Sequence, residues 1–74
     1  MCLGVPGKVI QLMEHNTARV DVDGNEVDIS IKLTPKVQLG QHVLIHAGFA
    51  VEIIDETLAE ETMRLLKELQ PYDN

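Results

Sequence analysis

Between Ala18 and Leu33, apolar and polar residues alternate with a period of two on either side of Asp23-Gly24-Asn25, and few backbones other than an antiparallel hairpin satisfy that pattern. In the first arm Ala18, Val20 and Val22 share one face, with Arg19, Asp21 and Asp23 on the other. In the second arm Val27, Ile29, Ile31 and Leu33 oppose Glu26, Asp28, Ser30 and Lys32. Gly and Asn accept the positive φ that a tight reversal demands, so the connection is encoded by the residues between the arms. A half-buried hairpin is the frame that the rest of the chain must fit.

The flanking segments extend that sheet. Lys8 to Met13 is rich in Val, Ile and Leu and closes with the polar group Glu14-His15-Asn16, which predicts a strand and a turn. Thr34 to Gln41 holds Pro35 and Gly40 and reads as a loop. Val43-Leu44-Ile45 is a continuous apolar run, as expected of a strand buried on both sides. Gly48 marks a bulge, a tight turn or a close backbone approach, and Phe49, Val51 and Ile53 then share one face of a last strand ending at Ile54.

Beyond Ile54 the period changes. Leu58, Thr62, Leu65 and Leu69 recur at helical spacing, Ala59, Met63 and Leu66 widen the stripe, Asp55 is a suitable N-cap, and Pro71 ends the helix near Leu69. Five short strands at regular spacing favour a closed or nearly closed barrel, because closure removes the edges that a small open sheet would offer to other chains. The expected architecture is mainly β: one domain over residues 1–74, with an N-terminal arm at 1–7, a five-stranded barrel at 8–54 and a C-terminal α-helix at 55–70.

Composition narrows the function. A chain of 74 residues buries only about 60% of the surface it exposes when unfolded, and its single cysteine offers no disulfide to supplement a modest core. With no pairing partner for that thiol, no secretory signal pattern and no apolar run long enough to span a bilayer, a reduced, cytoplasmic setting without membrane attachment is expected. The net charge of −6 repels phosphate, and one Phe with one Tyr leaves little for bases to stack on, so no nucleic acid is expected as a partner.

There is no nucleophile elbow, no phosphate-cradling glycine loop and no His-Glu-x-x-His, which leaves Cys2 and three histidines as candidates for chemistry. Cys2 would become the first residue if Met1 were removed, and its thiol would then lie beside an α-ammonium group. Lys8 is the only charged side chain before Glu14, so this end of an acidic chain is locally positive and favours thiolate. Thiolate is a soft ligand suited to iron or copper rather than magnesium or calcium. On residues alone, Cys2 is either an incidental neighbour of the initiator methionine or a thiol on an arm, with Gly4 and Gly7 permitting unusual backbone angles and Pro6 restraining the path between them. His15 and His42 read as solvated loop residues. His46 reads either as a structural histidine at a strand end or as an imidazole aimed at an open site beside Gly48.

Two stretches, Met1-Cys2-Leu3-Gly4-Val5-Pro6-Gly7 and His46-Ala47-Gly48-Phe49-Ala50, together resemble the HypC/HupF family of nickel-iron hydrogenase assembly chaperones. The resemblance spans essentially the whole chain. It implies an OB-like barrel whose N-terminal cysteine, here Cys2, helps hold iron as a transient cargo carrying cyanide and carbonyl ligands, with no permanent cofactor. The implied partners are a HypD-type scaffold protein and the precursor of the [NiFe]-hydrogenase large subunit. On this reading Leu3, Gly4, Val5, Pro6 and Gly7 form the partner-binding arm, and His46 orients the thiolate by a hydrogen bond or touches partner protein. The competing expectation is a small thiol enzyme with Cys2 as nucleophile and His46 as its base. Against it stand the lack of a resolving cysteine and the small room for a pocket.

Overall fold

The hairpin forms as the alternation dictates. In a computed structural model describing residues 4–69, β2 (Thr17–Val22) and β3 (Asn25–Ser30) pair antiparallel from Thr17↔Ser30 to Val22↔Asn25. The reversal is a two-residue turn in which Asp23 and Gly24 take φ of 53° and 94°, the mirror-image geometry whose twist matches the flanking strands. The Asp21 carboxylate accepts from the Gly24 N–H at 3.0 Å. Directly across the pair, Arg19 meets Asp28 in an exposed ion pair at 2.9 Å. The hydrogen bond from the guanidinium holds the Asp28 carboxyl below its ordinary pKa.

Three further strands complete the sheet: β1 (Val5–Met13), β4 (His42–His46) and β5 (Phe49–Ile54). They close in the order β1-β2-β3-β5-β4, with β4 returning to β1, to give the expected five-stranded OB-like barrel. Strand β1 has two neighbours at different points along its length. Its first residues pair with β4 from Val5↔Ile45 to Lys8↔His42, and its later ones with β2 from Lys8↔Asp21 to Met13↔Thr17. Between Val9 and Gln11 the register shifts, leaving Ile10 as an extra residue, and such a bulge bends the strand between its two partners. The barrel is thinnest at β3 and β5, which run parallel through one pair, Ser30↔Phe49, supported by a bond of 3.0 Å from the Ser30 N–H to the Gly48 carbonyl.

Val9, Ala18, Val20, Val43 and Ala50 are fully buried inside the barrel, joined by Ile29, Ile31 and Val37. Val43 and Leu44 are both buried, on opposite faces of β4, as the unbroken apolar run implies. Three expectations are corrected. Strand β1 opens at Val5, three residues before Lys8, because β4 is available to pair with it. Strand β3 ends at Ser30, because Asn16, next in register on the other arm, leaves strand geometry with φ of 55° and the Ile31 carbonyl accepts from the Thr34 N–H at 3.1 Å to begin a turn; Val27 and Leu33 are exposed. On β5, Phe49, Val51 and Ile53 face solvent to a large extent (Phe49 is 41% exposed) while Ala50 lies inside. A second bulge breaks their shared face: Leu44 pairs with Glu52 but Ile45 with Ala50, leaving Val51 unmatched, so that Phe49 lies opposite His46 and Ile53 opposite Val43. The segment from Thr34 to Gln41 is the expected loop; it turns twice, through Thr34 N–H to Ile31 carbonyl and Val37 N–H to Thr34 carbonyl bonds of 3.1 Å each, and so delivers Val37 to the core.

The tail forms α1 (Glu56–Glu68), capped by Asp55, whose carboxylate accepts from the Leu58 N–H at 2.8 Å. Its barrel-facing stripe is narrower than expected. Ala59 is buried against Leu44 and Ile54, Thr62, Met63 and Leu66 are half-buried, and Leu58, Leu65 and Leu69 are exposed. Pro71 lies outside the described residues. No described helix is long and apolar enough to cross a membrane.

Gly24 has open space around the position of an added Cβ, so its substitution tests backbone conformation alone. Gly24→Ala is expected to destabilise the barrel by about 1 kcal/mol in urea unfolding, the cost of a left-handed L-residue.

Candidate functional site

Of the residues singled out in the sequence, Gly4, Val5, Pro6, Gly7 and His46 lie within the structure, whereas Cys2 and Leu3 lie outside the described residues. The segment leading to Cys2 is not an arm from Val5 onward. Pro6 and Gly7 are buried in β1, paired with Leu44 and Val43, and Val5 is partly exposed opposite Ile45. Proline is tolerated because it interrupts no ladder there. The Val9 N–H points to β4, bonding the Gln41 carbonyl at 2.9 Å, so by alternation the nitrogen of Pro6 faces the side where β2 has not yet joined.

The glycines serve close approach. A Cβ at Gly4 would lie 2.5 Å from Leu44 Cγ and 3.1 Å from the Ile45 carbonyl oxygen. One at Gly7 would lie 3.0 Å from Ile45 Cδ1 and 3.1 Å from Val22 Cγ2. Gly7 is not among the residues of positive φ, so its use is clearance rather than an unusual backbone angle. The chain entering β1 is thereby pressed against the last residues of β4.

His46 is the last residue of β4. It is exposed and pairs with Phe49 across a two-residue turn in which Ala47 and Gly48 have φ of 55° and 84°. The same geometry as at Asp23-Gly24 resolves the reading of Gly48 as a tight turn. Alternation along β4 sets His42, Leu44 and His46 on its outer face, and Gly4 rests on Leu44 of that face. The two histidines stand at opposite ends of a five-residue strand, about 13 Å apart along it. His42 borders a cleft of about 210 Å³ with Lys8, Asp21 and Asp23, away from His46. His15, with φ of 62°, occupies the β1–β2 turn. Among the described residues no three His, Asp or Glu side chains gather as a metal-binding group.

The structure thus makes neighbours of the two separate sequence stretches that carry the family resemblance. Through Val5↔Ile45 and the packing of Gly4 on Leu44, the N-terminal stretch and the His46 hairpin meet at one end of β4. Sequence reasoning missed Leu44 as the surface on which Gly4 rests. Its signal was the unbroken apolar run, which required a second buried face without saying what covers it.

A model of the HupF/HypC family matches residues 1–66, a span that includes both stretches. The chain belongs to the HupF/HypC family. It is 39% identical over 74 residues to the hydrogenase maturation factor HypC of Synechocystis sp., covering 93% of this chain and 97% of that one. It is 44% identical over a 79-residue alignment to the hydrogenase maturation factor HybG of Escherichia coli, covering 99% and 95% of the two chains. Against HypC of Rhizobium leguminosarum the identity is 38%, over 92% and 91%. The HupF/HypC likeness therefore spans nearly the full length of both chains in each comparison.

In this family member the Gly4 contact carries a direct test. Gly4→Ala forces a methyl group against Leu44, and such overpacking costs roughly 1–3 kcal/mol. Thermal unfolding should show that loss, and pairing the variant with Leu44→Ala should recover part of it.

Proposed function

We propose that this protein is a hydrogenase assembly chaperone that helps hold an iron cargo bearing cyanide and carbonyl ligands, and that the thiolate of Cys2 is its ligand to that iron. The observation that carries this reading is membership of the HupF/HypC family across residues 1–66, with relatives named as hydrogenase maturation factors. The chain acts in assembly, in the cytoplasm, and not as an enzyme. A HypD-type scaffold protein shares the cargo, and the precursor of the [NiFe]-hydrogenase large subunit receives it.

The chemistry supports a shared site. A soft thiolate suits iron that already carries strong-field ligands. A carrier contributing one ligand can release its cargo, whereas a complete ligand set would retain it. Exposed His46 stands at the end of β4 beside which Gly4 enters. Its imidazole serves to hydrogen-bond the thiolate or to meet the partner, and Leu3 and Val5 offer apolar contact to that partner.

Replacing Cys2 by Ala in cells that depend on this chain for hydrogenase maturation should reduce hydrogenase activity to background with the chaperone still folded. Undiminished activity would overturn the proposal. His46→Ala should fold normally and lower activity partially, and wild-type activity in that variant would return His46 to a purely structural place at the strand end.

A further inference from the structure

The geometry points to Leu44 as a positioning residue that couples the seating of helix α1 to the path of the chain entering β1. Its consequence for Cys2 rests on the function proposed above, but the coupling itself does not. The isobutyl group of Leu44 is held between two elements. On one side it packs with Ile54 and with Ala59 of α1. On the other, Gly4 lies so close that an added Cβ would sit 2.5 Å from Leu44 Cγ and force it to shift. Anything that shifts Leu44 must move one of these neighbours, because a filled core transmits displacement instead of absorbing it.

Helix α1 is the element most easily shifted. Ala59 is its one buried residue, and its ion pair to the barrel, Lys67 to Asp23 at 3.2 Å, has both side chains more than half exposed. Such a pair holds an element weakly. Its C-terminal half stands off the barrel across a cleft of about 320 Å³ bordered by Val5, Val22, Met63 and Leu66. A second cleft, of about 210 Å³, runs between Pro6, Gly7 and Lys8 on one wall and Ala59, Glu60 and Met63 on the other. The helix therefore flanks the first strand from Val5 to Lys8, with Ala59 as its one fully buried residue. Elements with so little buried apolar surface open at low free energy.

Lifting α1 uncovers Leu44, removes the support under Gly4 and loosens the first ladder pair, Val5↔Ile45, while the barrel interior around Val20 and Val43 stays closed. A partner that takes hold of α1 thereby alters how the N-terminal residues are presented, and by linkage whatever fixes those residues alters the hold on α1.

The test uses the full chain and needs no iron. Ala59→Asp sets a charge in the seam beneath α1, and Leu58→Asp sets the same charge on the exposed side of the helix as the control. Amide hydrogen exchange at Gly4, Val5 and Ile45 should accelerate about tenfold or more in Ala59→Asp, with the amides of Val20 and Val43 unchanged, and should stay at wild-type rates in Leu58→Asp. The rate of Cys2 alkylation by iodoacetamide should change severalfold in the first variant only. Helix amides that lose protection in Ala59→Asp while Gly4, Val5 and Ile45 keep theirs would overturn the coupling. Should Ala59→Asp fail to fold, Leu44→Val reads the same link from its centre: faster exchange at Gly4 and Val5 with Val20 unchanged supports it, and wild-type exchange there refutes it. Because these readouts involve no cargo, loss of the iron reading would leave them intact, and their failure would leave the iron reading standing.

Discussion

The ladder between β1 and β4 is the interaction on which the rest of this structure depends. It closes the barrel, and a 74-residue chain without a disulfide has few other ways to remove its sheet edges from solvent. Closure requires that β1 serve two neighbours, which the bulge at Ile10 allows by bending the strand. It also requires that the start of β1 come very near β4. Glycine at positions 4 and 7 provides that clearance, and Pro6 sits where a missing N–H breaks no ladder bond. The same ladder brings Gly4 and Val5 to the His46 end of β4.

Much of this was legible in the residues. Period-two alternation located β2 and β3, Asp-Gly marked their turn, the apolar run at Val43 announced a strand buried on both faces, and Asp55 capped a helix of the expected length. What could not be read were the places where partners decide. The alternation of Phe49, Val51 and Ile53 set them on one face, but the bulge at Val51 splits that face, and Ala50 takes the interior. Val37 looked like part of a loop because nothing local reveals that two successive turns fold it back over the core. The first strand was placed too late because glycine and proline argue against a strand until a neighbour that needs close approach is known.

The site divides in the same way. The pairing of residue types at Cys2 and His46 is a sequence-level signal, specific only because both stretches occur together, and the family match spans both. The proximity of Gly4 and Val5 to the His46 end of β4 is not encoded in either stretch alone. It follows from the register Val5↔Ile45 and from the packing of Gly4 on Leu44, which are properties of the closed barrel. Helix α1, although predicted as a core-packing amphipathic element, covers only Ala59 fully and leaves Leu58, Leu65 and Leu69 exposed. That shallow seat is what makes it suitable for transmitting an outside contact to Leu44.

The central claim, that the thiolate of Cys2 helps hold an iron unit carrying cyanide and carbonyl, has a spectroscopic signature independent of hydrogenase activity. Infrared spectra of the chain purified together with its scaffold partner should contain cyanide and carbonyl stretching bands. The same complex prepared with Cys2→Ala should lack them or show them strongly reduced at equal partner content. Bands of undiminished intensity and unshifted position in the Cys2→Ala complex would contradict the account, because the iron would then be held without the thiol.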